Sequence, residues 1–445
     1  MGVRTPSLLL LATCLRAAPT STAGPALEEG LGSVLRGAVP ARRTDDEGRT
    51  AAPPTNTNIV LILSDDLGFG DVSIASRRTQ PPYSIPTPNI QRIADRGMVF
   101  RRAYSGQVCA PSRCMLMLGK HSGHCTIRGN DGSYSPLLPT DITVAAALNA
   151  THTTALFGKW GLGNYASSGY PLSQGFGTFV GQDAQGACHN WYPLTIQNGS
   201  DDKAVLNTKD DTRNGTVCLG PKPESTCTWM NDHDVEAAVS FIHAHADDTR
   251  PFFLYLATTT PHIGHLGSSV PGTSGGKYPV PLVYRSQVPV DWTAMEDKDH
   301  TDAQFGAAVI AQDDIVGKTL DAIDAAGIEK RTVVFFSGDN GPDDHSFTEF
   351  QDSGPFRGKK RSLHEGGIRQ TVAVQWIGTI KPGSESQHLF SFVDFLVTAL
   401  DIVGVPETSW PKPTDGVSAL PALKGITDDK PSKRYLYWEY CGYGN

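Results

Sequence analysis

Five short runs of aliphatic, aromatic and β-branched residues constrain the fold of this 445-residue chain more than any other feature. They read NIVLIL from residue 58, TTALFG from 153, PFFLYLATT from 251, TVVFFSG from 332 and TVAVQWIG from 371. Runs without polar alternation are typical of strands that are covered on both faces. Helical patterns separate them, the clearest running from about Asp302 to Ala326 before Gly327. Strands that alternate with helices predict a three-layer α/β/α sandwich with a largely parallel mixed sheet.

The N-terminus has the layout of a secretory signal peptide, which we assign to residues 1–23. Arg4 precedes an apolar core from Leu8 to Leu15, and small residues follow that core. A transit peptide is the alternative, but acidic residues between positions 28 and 46 argue against it. Residues 24–55 lack periodicity, so we expect a disordered linker there. No later apolar run is long enough to span a membrane.

Sequons and cysteines agree with secretion. Sequons begin at Asn149, Asn198 and Asn214. Of the eight cysteines, Cys14 lies in the signal peptide, and six remain for pairing if Cys109 is reserved for chemistry. We therefore expect the chain to pass through the secretory pathway to an extracellular or lysosome-like compartment. The formal net charge of −8, without a basic stripe, argues against nucleic acid as the main partner.

Two of the predicted strands run directly into oxygen-bearing side chains. NIVLIL is followed by Asp65 and Asp66, and TVVFFSG is followed by Asp339 and Asn340. Functional groups in open α/β sheets collect beyond the carboxyl ends of the strands, so these side chains should converge if the strands are parallel neighbours. Carboxylates brought together repel one another unless a hard cation such as Ca²⁺ or Mg²⁺ binds them. A single Asp is more often a turn residue or a cap, but two such pairs favour a metal site.

The stretch QVCAPSRCMLMLGK, from residue 107, holds a thiol in front of a predicted helix. Pro111 suits the first turn of a helix, because its missing N–H is not needed there. The free N–H groups and positive dipole end just before the helix favour an anion, and hence a thiolate at Cys109. From these residues alone, Cys109 is equally a buried cap, or one half of a disulfide with Cys114 or Cys125.

Basic side chains and one histidine follow the same strands. Lys159 ends the run beginning TTALFG, and Lys359 and Lys360 precede a glycine pair. Each lysine alone is typical of a solvated surface, but opposite a metal such lysines hold a tetrahedral oxyanion such as sulfate or phosphate. His262 follows the strand PFFLYL, where an imidazole serves as general acid or base, although a core or surface histidine is the simpler interpretation.

With these pieces in order, the chain resembles the type I sulfatases of the alkaline-phosphatase superfamily, and most of all the arylsulfatase A and N-acetylgalactosamine-sulfatase branch. The matching stretches are NIVLILSDDLGFGD, TPNIQRIADRGMVF, CAPSR with LGKHSGH, FGKWGLG, TTPH, DDIVGKTL, FFSGDNG and GKKRSLHEGGIR. The combination of CxPxR with SDD and SGDNG is highly specific. The resemblance implies an alkaline-phosphatase-like catalytic domain over residues 56–404 and the start of a C-terminal subdomain over 405–445.

The resemblance also implies that Cys109 is oxidised to formylglycine by the formylglycine-generating enzyme, which reads CxPxR. One hydroxyl of the hydrated aldehyde would attack sulfur and form a sulfate ester on the enzyme. The second hydroxyl would then lose its proton, re-form the carbonyl and expel sulfate. An aldehyde hydrate therefore carries its own release step, which a serine lacks.

By match to the family motifs, the site residues divide into two groups. One Ca²⁺ would be bound by Asp65, Asp66, Asp339, Asn340 and the modified Cys109. Arg113 would orient the hydrate, Lys159 and Lys360 would hold sulfate oxygens, and His262 would protonate the departing alcohol. Lys360 is chosen over Lys359 because it lies five residues before Glu365, which is the spacing of the family.

The sequence departs from the family in two places. The family carries a histidine after the tryptophan of its GKWH motif, and this chain has Gly161. That histidine helps the second hydroxyl to lose its proton, so restoring it should raise turnover if release is impaired, unless a loop histidine such as His265 replaces it. The chain also ends at RYLYWEYCGYGN, where relatives continue into a small antiparallel subdomain, so the resemblance implies that we should expect this subdomain to be largely missing.

We therefore predict a sulfuric ester hydrolase that cleaves aryl or carbohydrate sulfate esters, with a sulfated small molecule or glycan as its substrate. Two alternatives are a catalytically impaired sulfatase-like protein that binds glycans, and a phosphoester or phosphonate hydrolase of the same superfamily. Residues 181–232, with three cysteines and many polar residues, predict a surface insertion. That insertion and the loop around 265–300 are expected to line the substrate pocket.

Overall fold

A computed structural model describes residues 56–74, 85–130, 135–199, 202–207, 227–264, 278, 280–288, 301–343, 352–426 and 434–440. The predicted signal peptide and linker lie outside the described residues, as do Asn214, His265 and most of the loop around 265–300. The described helices include none with both the length and the apolar character of a membrane span.

The strands form one mixed sheet. They are β1 (Asn58–Asp65), β2 (Gly97–Tyr104), β3 (Thr153–Lys159), β4 (Thr178–Gln182), β5 (Thr195–Asn198), β6 (Asp202–Val205), β7 (Phe252–Pro261), β8 (Thr332–Gly338), β9 (Arg369–Gln375) and β10 (Ser384–Ser391). Within the described ranges their order is β10-β2-β9-β8-β1-β7-β3-β4-β5-β6. The five strands from β8 to β4 are mutually parallel, whereas β9 is antiparallel to both of its neighbours. The five apolar runs of the sequence are therefore five strands of this sheet.

Helices cover both faces of the sheet. The α-helices are α1 (Pro88–Arg96), α2 (Cys109–Leu118), α3 (Val144–Leu148), α4 (Met230–Ala244), α5 (Leu282–Arg285), α6 (Thr301–Ala325), α7 (Glu365–Ile368), α8 (Asp394–Ile402) and α9 (Leu420–Leu423). Apolar residues of α1, α4 and α6 pack in one core, and those of α2, α3 and α8 pack in a second core.

The central strands supply both cores because successive side chains point to opposite faces. In β1, Val60 and Ile62 enter the first core, whereas Ile59, Leu61 and Leu63 enter the second. Burying such side chains contributes about 1.5–3 kcal/mol each, so a strand that is apolar on both sides is held in the middle of the sheet. The three-layer α/β/α sandwich predicted from the sequence is confirmed.

The prediction of a surface insertion over residues 181–232 is partly wrong. Its first part forms β5 and β6, which extend the sheet in antiparallel pairing beyond β4. Trp191 and Tyr192 of the same segment are about 1 % exposed. Burial of these two aromatic side chains anchors the segment to the core, despite its polar composition.

The cysteines do not pair as the sequence suggested. Cys114 and Cys125 are buried free thiols, and the Cys125 thiol donates a hydrogen bond to the Lys120 carbonyl at 3.2 Å. Cys188 is also a buried free thiol, whereas Cys227 is disulfide-bonded. The expectation that Cys114, Cys125 and Cys188 are available for disulfide pairing is therefore wrong. A buried thiol packs as a small apolar group, which accounts for these cysteines without a bond.

Candidate active site

The parallel strands deliver the site residues to one edge of the sheet. Ser64 of β1 pairs with Gly338 of β8, so the residues that follow both strands lie side by side. On the other side of β1, Asp65 pairs with Pro261, the last residue of β7. The next strand along, β3, ends at Lys159. The structure thus brings Asp65, Asp66, Lys159, His262, Asp339 and Asn340 to the carboxyl ends of adjacent strands, as the strand-end rule predicts.

The oxygen-bearing side chains meet around Asp66. Its backbone N–H donates to Asp339 Oδ1 at 3.1 Å, and Asn340 Nδ2 donates to Asp66 Oδ1 at 2.7 Å. The φ angle of Asp66 is 60°, a left-handed conformation that few residues other than glycine, Asn and Asp adopt. Asn340 Oδ1 is buried without a hydrogen-bond partner among the described residues. An orphaned amide oxygen beside buried carboxylates is a donor set that fits a hard cation.

The electrostatics of the three carboxyl groups favour an added positive charge. Burial raises the pKa of Asp339 to about 7, with help from Asp65, and burial raises the pKa of Asp66 to about 6. Burial acts in the same direction on Asp65, but Lys159, with His262 and other nearby groups, outweighs it and holds the pKa of Asp65 well below its usual value. Asp66 and Asp339 therefore ionise closer to neutral pH than ordinary carboxyl groups do, and an added cation would favour their charged forms.

Cys109 faces these carboxyl groups from the first turn of α2. Its Sγ lies 3.2 Å from Asp65 Oδ1 and 3.9 Å from Asp66 Oδ1. The helix begins at Cys109 itself, which was predicted to lie just in front of it, because Pro111 is tolerated anywhere in a first turn. The thiolate expected from the sequence is wrong, since burial and then Asp65 raise the pKa of Cys109 well above its usual value. As an unmodified thiol, Cys109 is a poor nucleophile.

Arg113 lies one helical turn after Cys109 and is fully buried. Its Nε and Nη2 donate to Asp339 Oδ2 at 3.0 and 2.9 Å, and its Nη1 donates to the Lys159 carbonyl at 3.0 Å. The guanidinium thus joins α2 to β8 and β3. Because its fork geometry is fixed, this side chain holds Cys109 in place relative to both strands.

Two buried lysines and His262 complete the part of the site that the sequence predicted. Lys159 Nζ donates to Asp65 Oδ2 at 2.6 Å, and Lys360 Nζ donates to Asp66 Oδ2 at 2.7 Å. Burial alone would lower the pKa of each lysine, but the carboxylates opposite them outweigh burial and hold both pKa values above normal. His262 Nε2 lies 3.3 Å from Asp66 Oδ2, and its Nδ1 donates to the Ile263 carbonyl at 2.7 Å. Two ammonium groups held inside a protein create a local positive potential that favours an anion.

The sequence reasoning missed His189 as a site residue. This histidine ends a short 3₁₀ turn, Ala187–His189, in the segment predicted as an insertion. Its Nε2 lies 3.4 Å from Lys159 Nζ, and its ring stacks on that of His262 with centroids 3.8 Å apart and planes 9° apart. The sequence feature that could have indicated the position of His189 is the aromatic pair Trp191 and Tyr192, because both side chains are buried in the core.

The backbone at Gly161 does not suit the histidine that the family places there. Gly161 has a φ of 76°, and a Cβ at this position would lie 2.4 Å from Gln185 Oε1. Contrary to the expectation from the family, we expect Gly161→His to lower activity at least about tenfold and to destabilise the fold by about 1–2 kcal/mol, because the left-handed conformation disfavours a side chain.

Kinetics and thermal unfolding of Gly161→His check this expectation, with Gly161→Ala to separate the backbone strain from the bulk of the imidazole. Removing the obstructing amide in the double variant Gly161→His/Gln185→Gly should recover part of the lost stability. Higher turnover in Gly161→His alone would contradict the geometry.

The fold and this arrangement of buried side chains define a hydrolase for esters of tetrahedral oxyanions. A family model described as Sulfatase matches residues 57–405, and the chain belongs to the sulfatase family, whose members hydrolyse sulfate esters.

Known proteins agree with this assignment. The chain is 30 % identical over 409 residues to N-acetylgalactosamine-6-sulfatase of Mus musculus, covering 86 % of this chain and 69 % of the relative. It is 28 % identical over 413 residues to arylsulfatase A of Homo sapiens, covering 88 % and 71 %. The crystal structure of the PsFucS1 sulfatase from Pseudoalteromonas sp. superposes with a TM-score of 0.62 at 23 % identity, covering 82 % of this chain and 72 % of that one.

Proposed function

We propose that this sulfatase acts through a formylglycine formed from Cys109, beside one Ca²⁺ ion. The observation that carries the proposal is the position of Cys109: its Sγ lies 3.2 Å from Asp65 Oδ1, among groups suited to a cation and an anion. The raised pKa of the thiol supports a nucleophile other than the thiolate. A hydrated aldehyde has two hydroxyl groups, of which one bonds to sulfur and the other re-forms the carbonyl and expels sulfate.

The residues that would hold the ion are Asp65, Asp66, Asp339, Asn340 and the modified Cys109. The ligand atoms of Asp65, Asp66, Cys109 and His262 lie within 4.8 Å of one another, and the orphaned Oδ1 of Asn340 adds a further oxygen. Oxygen ligands favour Ca²⁺ over softer metals. When bound, a divalent cation polarises the sulfate group and favours ionisation of an attacking hydroxyl.

The remaining side chains have roles that their positions support. Lys159 and Lys360 neutralise the sulfate oxygens and the charge that develops on the leaving oxygen. Arg113 fixes the nucleophile through α2 and Asp339. His262, whose Nε2 lies 3.3 Å from Asp66 Oδ2, contacts the leaving oxygen. Because its Nδ1–H is donated to the Ile263 carbonyl, it protonates the departing alcohol only after Nε2 has also taken up a proton, which makes the ring an imidazolium.

Comparing Lys360→Ala with Lys359→Ala tests the pocket with a matched pair. Lys360 is 3 % exposed and contacts Asp66, whereas its neighbour is only half-buried. We expect Lys360→Ala to lower kcat/KM for an aryl sulfate by about 10²–10³-fold, because one preorganised donor to the sulfate is lost. Lys359→Ala should stay within about threefold of the wild type. Equal losses of kcat/KM in the two variants would contradict a role for Lys360 in binding the sulfate group.

Hydrolysis of 4-nitrophenyl sulfate, compared with 4-nitrophenyl phosphate, tests the function itself. We expect the sulfate ester to be the better substrate by kcat/KM, and a chelator to abolish its turnover. Binding of sulfated sugars without turnover would favour a glycan-binding protein, and preference for the phosphate would favour a phosphoester hydrolase.

We further propose a sulfated sugar as the natural substrate, since the relative from Mus musculus is named for N-acetylgalactosamine 6-sulfate. A panel of sulfated monosaccharides tests that proposal.

A further inference from the structure

His189 takes no part in the chemistry proposed above, although it lies inside the site. The hydrogen bond between Lys159 Nζ and His189 Nε2 has a definite direction. An ammonium group only donates, so the imidazole nitrogen must accept. Burial lowers the pKa of His189, and the neighbouring His262 and Lys159 lower it further. The ring is therefore neutral and keeps the lone pair that receives the Lys159 hydrogen.

The ammonium group of Lys159 has three N–H donors. One of them reaches Asp65 Oδ2 at 2.6 Å, and a second reaches His189 Nε2 at 3.4 Å. Two fixed partners set the rotation of the group about its Cε–Nζ bond, and so they set the direction of the third hydrogen. That third donor is the one available to an oxygen of a bound sulfate group.

The loop that carries His189 occupies the space beside Lys159. Gln185 of this loop is 5 % exposed, and its Oε1 lies 2.4 Å from where a Cβ of residue 161 would be. Lys159 Cε is 3.9 Å from the same point. The loop from Gln185 to His189 thus fills the volume that a side chain at position 161 would need, and it brings its own imidazole to Lys159.

The stack with His262 adds a second constraint. The two rings lie nearly parallel at 3.8 Å between centroids, and His262 Nδ1 donates a hydrogen bond to the Ile263 carbonyl. Moving His189 therefore disturbs both an ammonium group and an imidazole that face the same substrate oxygens. A displacement of about 1 Å at such groups costs up to about 10²-fold in rate.

We propose that His189 is a positioning residue for sulfate ester hydrolysis, which orients the Lys159 ammonium through Nε2 and the His262 ring through stacking. The proposal rests on the proposed function of this site. The polar segment that carries His189 also fills, through Gln185, the volume left by the side chain absent at Gly161.

Two substitutions at His189 separate the hydrogen bond from the packing. His189→Gln keeps an acceptor for Lys159 and loses the ring, whereas His189→Phe keeps the ring and loses the acceptor. We expect His189→Phe to lower kcat by about 10–100-fold and to weaken inorganic sulfate binding at least about fivefold, measured by calorimetry. His189→Gln should retain sulfate affinity within about twofold. On a logarithmic scale, it should also recover at least about a third of the decrease in kcat caused by His189→Phe. A purely structural role predicts the reverse order, with Phe better than Gln.

His245→Phe is the matched control, because His245 lies at the end of α4 and hydrogen-bonds Asp248 away from the site. Conversion of Cys109 and thermal unfolding are measured for every variant, and His189→Leu replaces His189→Phe if the latter does not fold. If the wild type cleaves aryl sulfates and His189→Phe matches it in kcat and sulfate affinity, the role of His189 is overturned and the proposed function stands. If the wild type cleaves no sulfate ester, the proposed function itself fails.

Discussion

Replacing Cys109 with alanine is expected to lower kcat for aryl sulfate hydrolysis by about 10⁵-fold or more, as the loss of a covalent nucleophile does in other hydrolases. The side chain lies at the start of α2, fully buried and 3.2 Å from Asp65. The fold should survive, because only a small buried group is removed, and steady-state kinetics with a thermal unfolding curve measure both quantities.

Replacing Cys109 with serine tests the release step separately. A serine hydroxyl at this position has one oxygen, so it accepts sulfate but has no second hydroxyl to expel it. We expect steady-state turnover as low as in the alanine variant, together with sulfate covalently retained on Ser at position 109, detected by intact-protein mass spectrometry. Cys125→Ala, which alters another buried free thiol, is the control and should keep full activity. Sustained turnover by the serine variant would contradict the aldehyde mechanism.

Replacing Asp66 with asparagine is expected to weaken Ca²⁺ binding at least about 100-fold and to lower kcat about 10³-fold. Asparagine keeps the shape of the side chain and is one of the few residues suited to the φ of 60° at this position. The substitution therefore removes a charged ligand while the backbone stays intact. Calcium titration by calorimetry and the dependence of kcat on free Ca²⁺ measure the two effects.

The thermal stability of the same variant distinguishes metal binding from misfolding. A ligand that binds only the folded state raises stability by about 2.7 kcal/mol when it is present at 100 times its Kd. Saturating Ca²⁺ should therefore raise the Tm of the wild type and leave that of Asp66→Asn unchanged, with both proteins alike in chelator. Asp321→Asn, at a side chain that is 69 % exposed and paired with Arg92, should behave as the wild type does. An equal response of both variants to Ca²⁺ would place the ion elsewhere.

The sheet and its strand-end residues were predictable because the evidence for them is local. The run NIVLIL must be buried on both faces, and its successors Asp65 and Asp66 are then fixed at the edge of the sheet. Lys360, which was chosen over Lys359 from the spacing of the family, contacts Asp66 in the structure. In these cases, a short stretch of sequence carries both the element and the position of its side chain.

The contribution of His189 was not predictable in the same way. Its segment is polar and cysteine-rich, and its place beside Lys159 depends on edge strands and on the space left by Gly161, which are relations across the fold. The prediction of a thiolate at Cys109 was wrong for a similar reason. The helix N-terminus was visible in the sequence, but the burial and the neighbouring Asp65 that raise its pKa were not. Burial of free thiols at Cys114 and Cys125 likewise depends on packing rather than spacing.

The mass of the peptide spanning residues 103–113, from protein made in a host with a formylglycine-generating enzyme, tests the central claim most directly. Conversion of the Cys109 thiol to an aldehyde removes sulfur and adds oxygen, so the peptide should be lighter than its unmodified form and should react with a hydrazide probe. Cys114, excluded from this peptide, should remain a thiol in the next one. A peptide that carries unmodified Cys109 in protein that cleaves aryl sulfates would contradict the account.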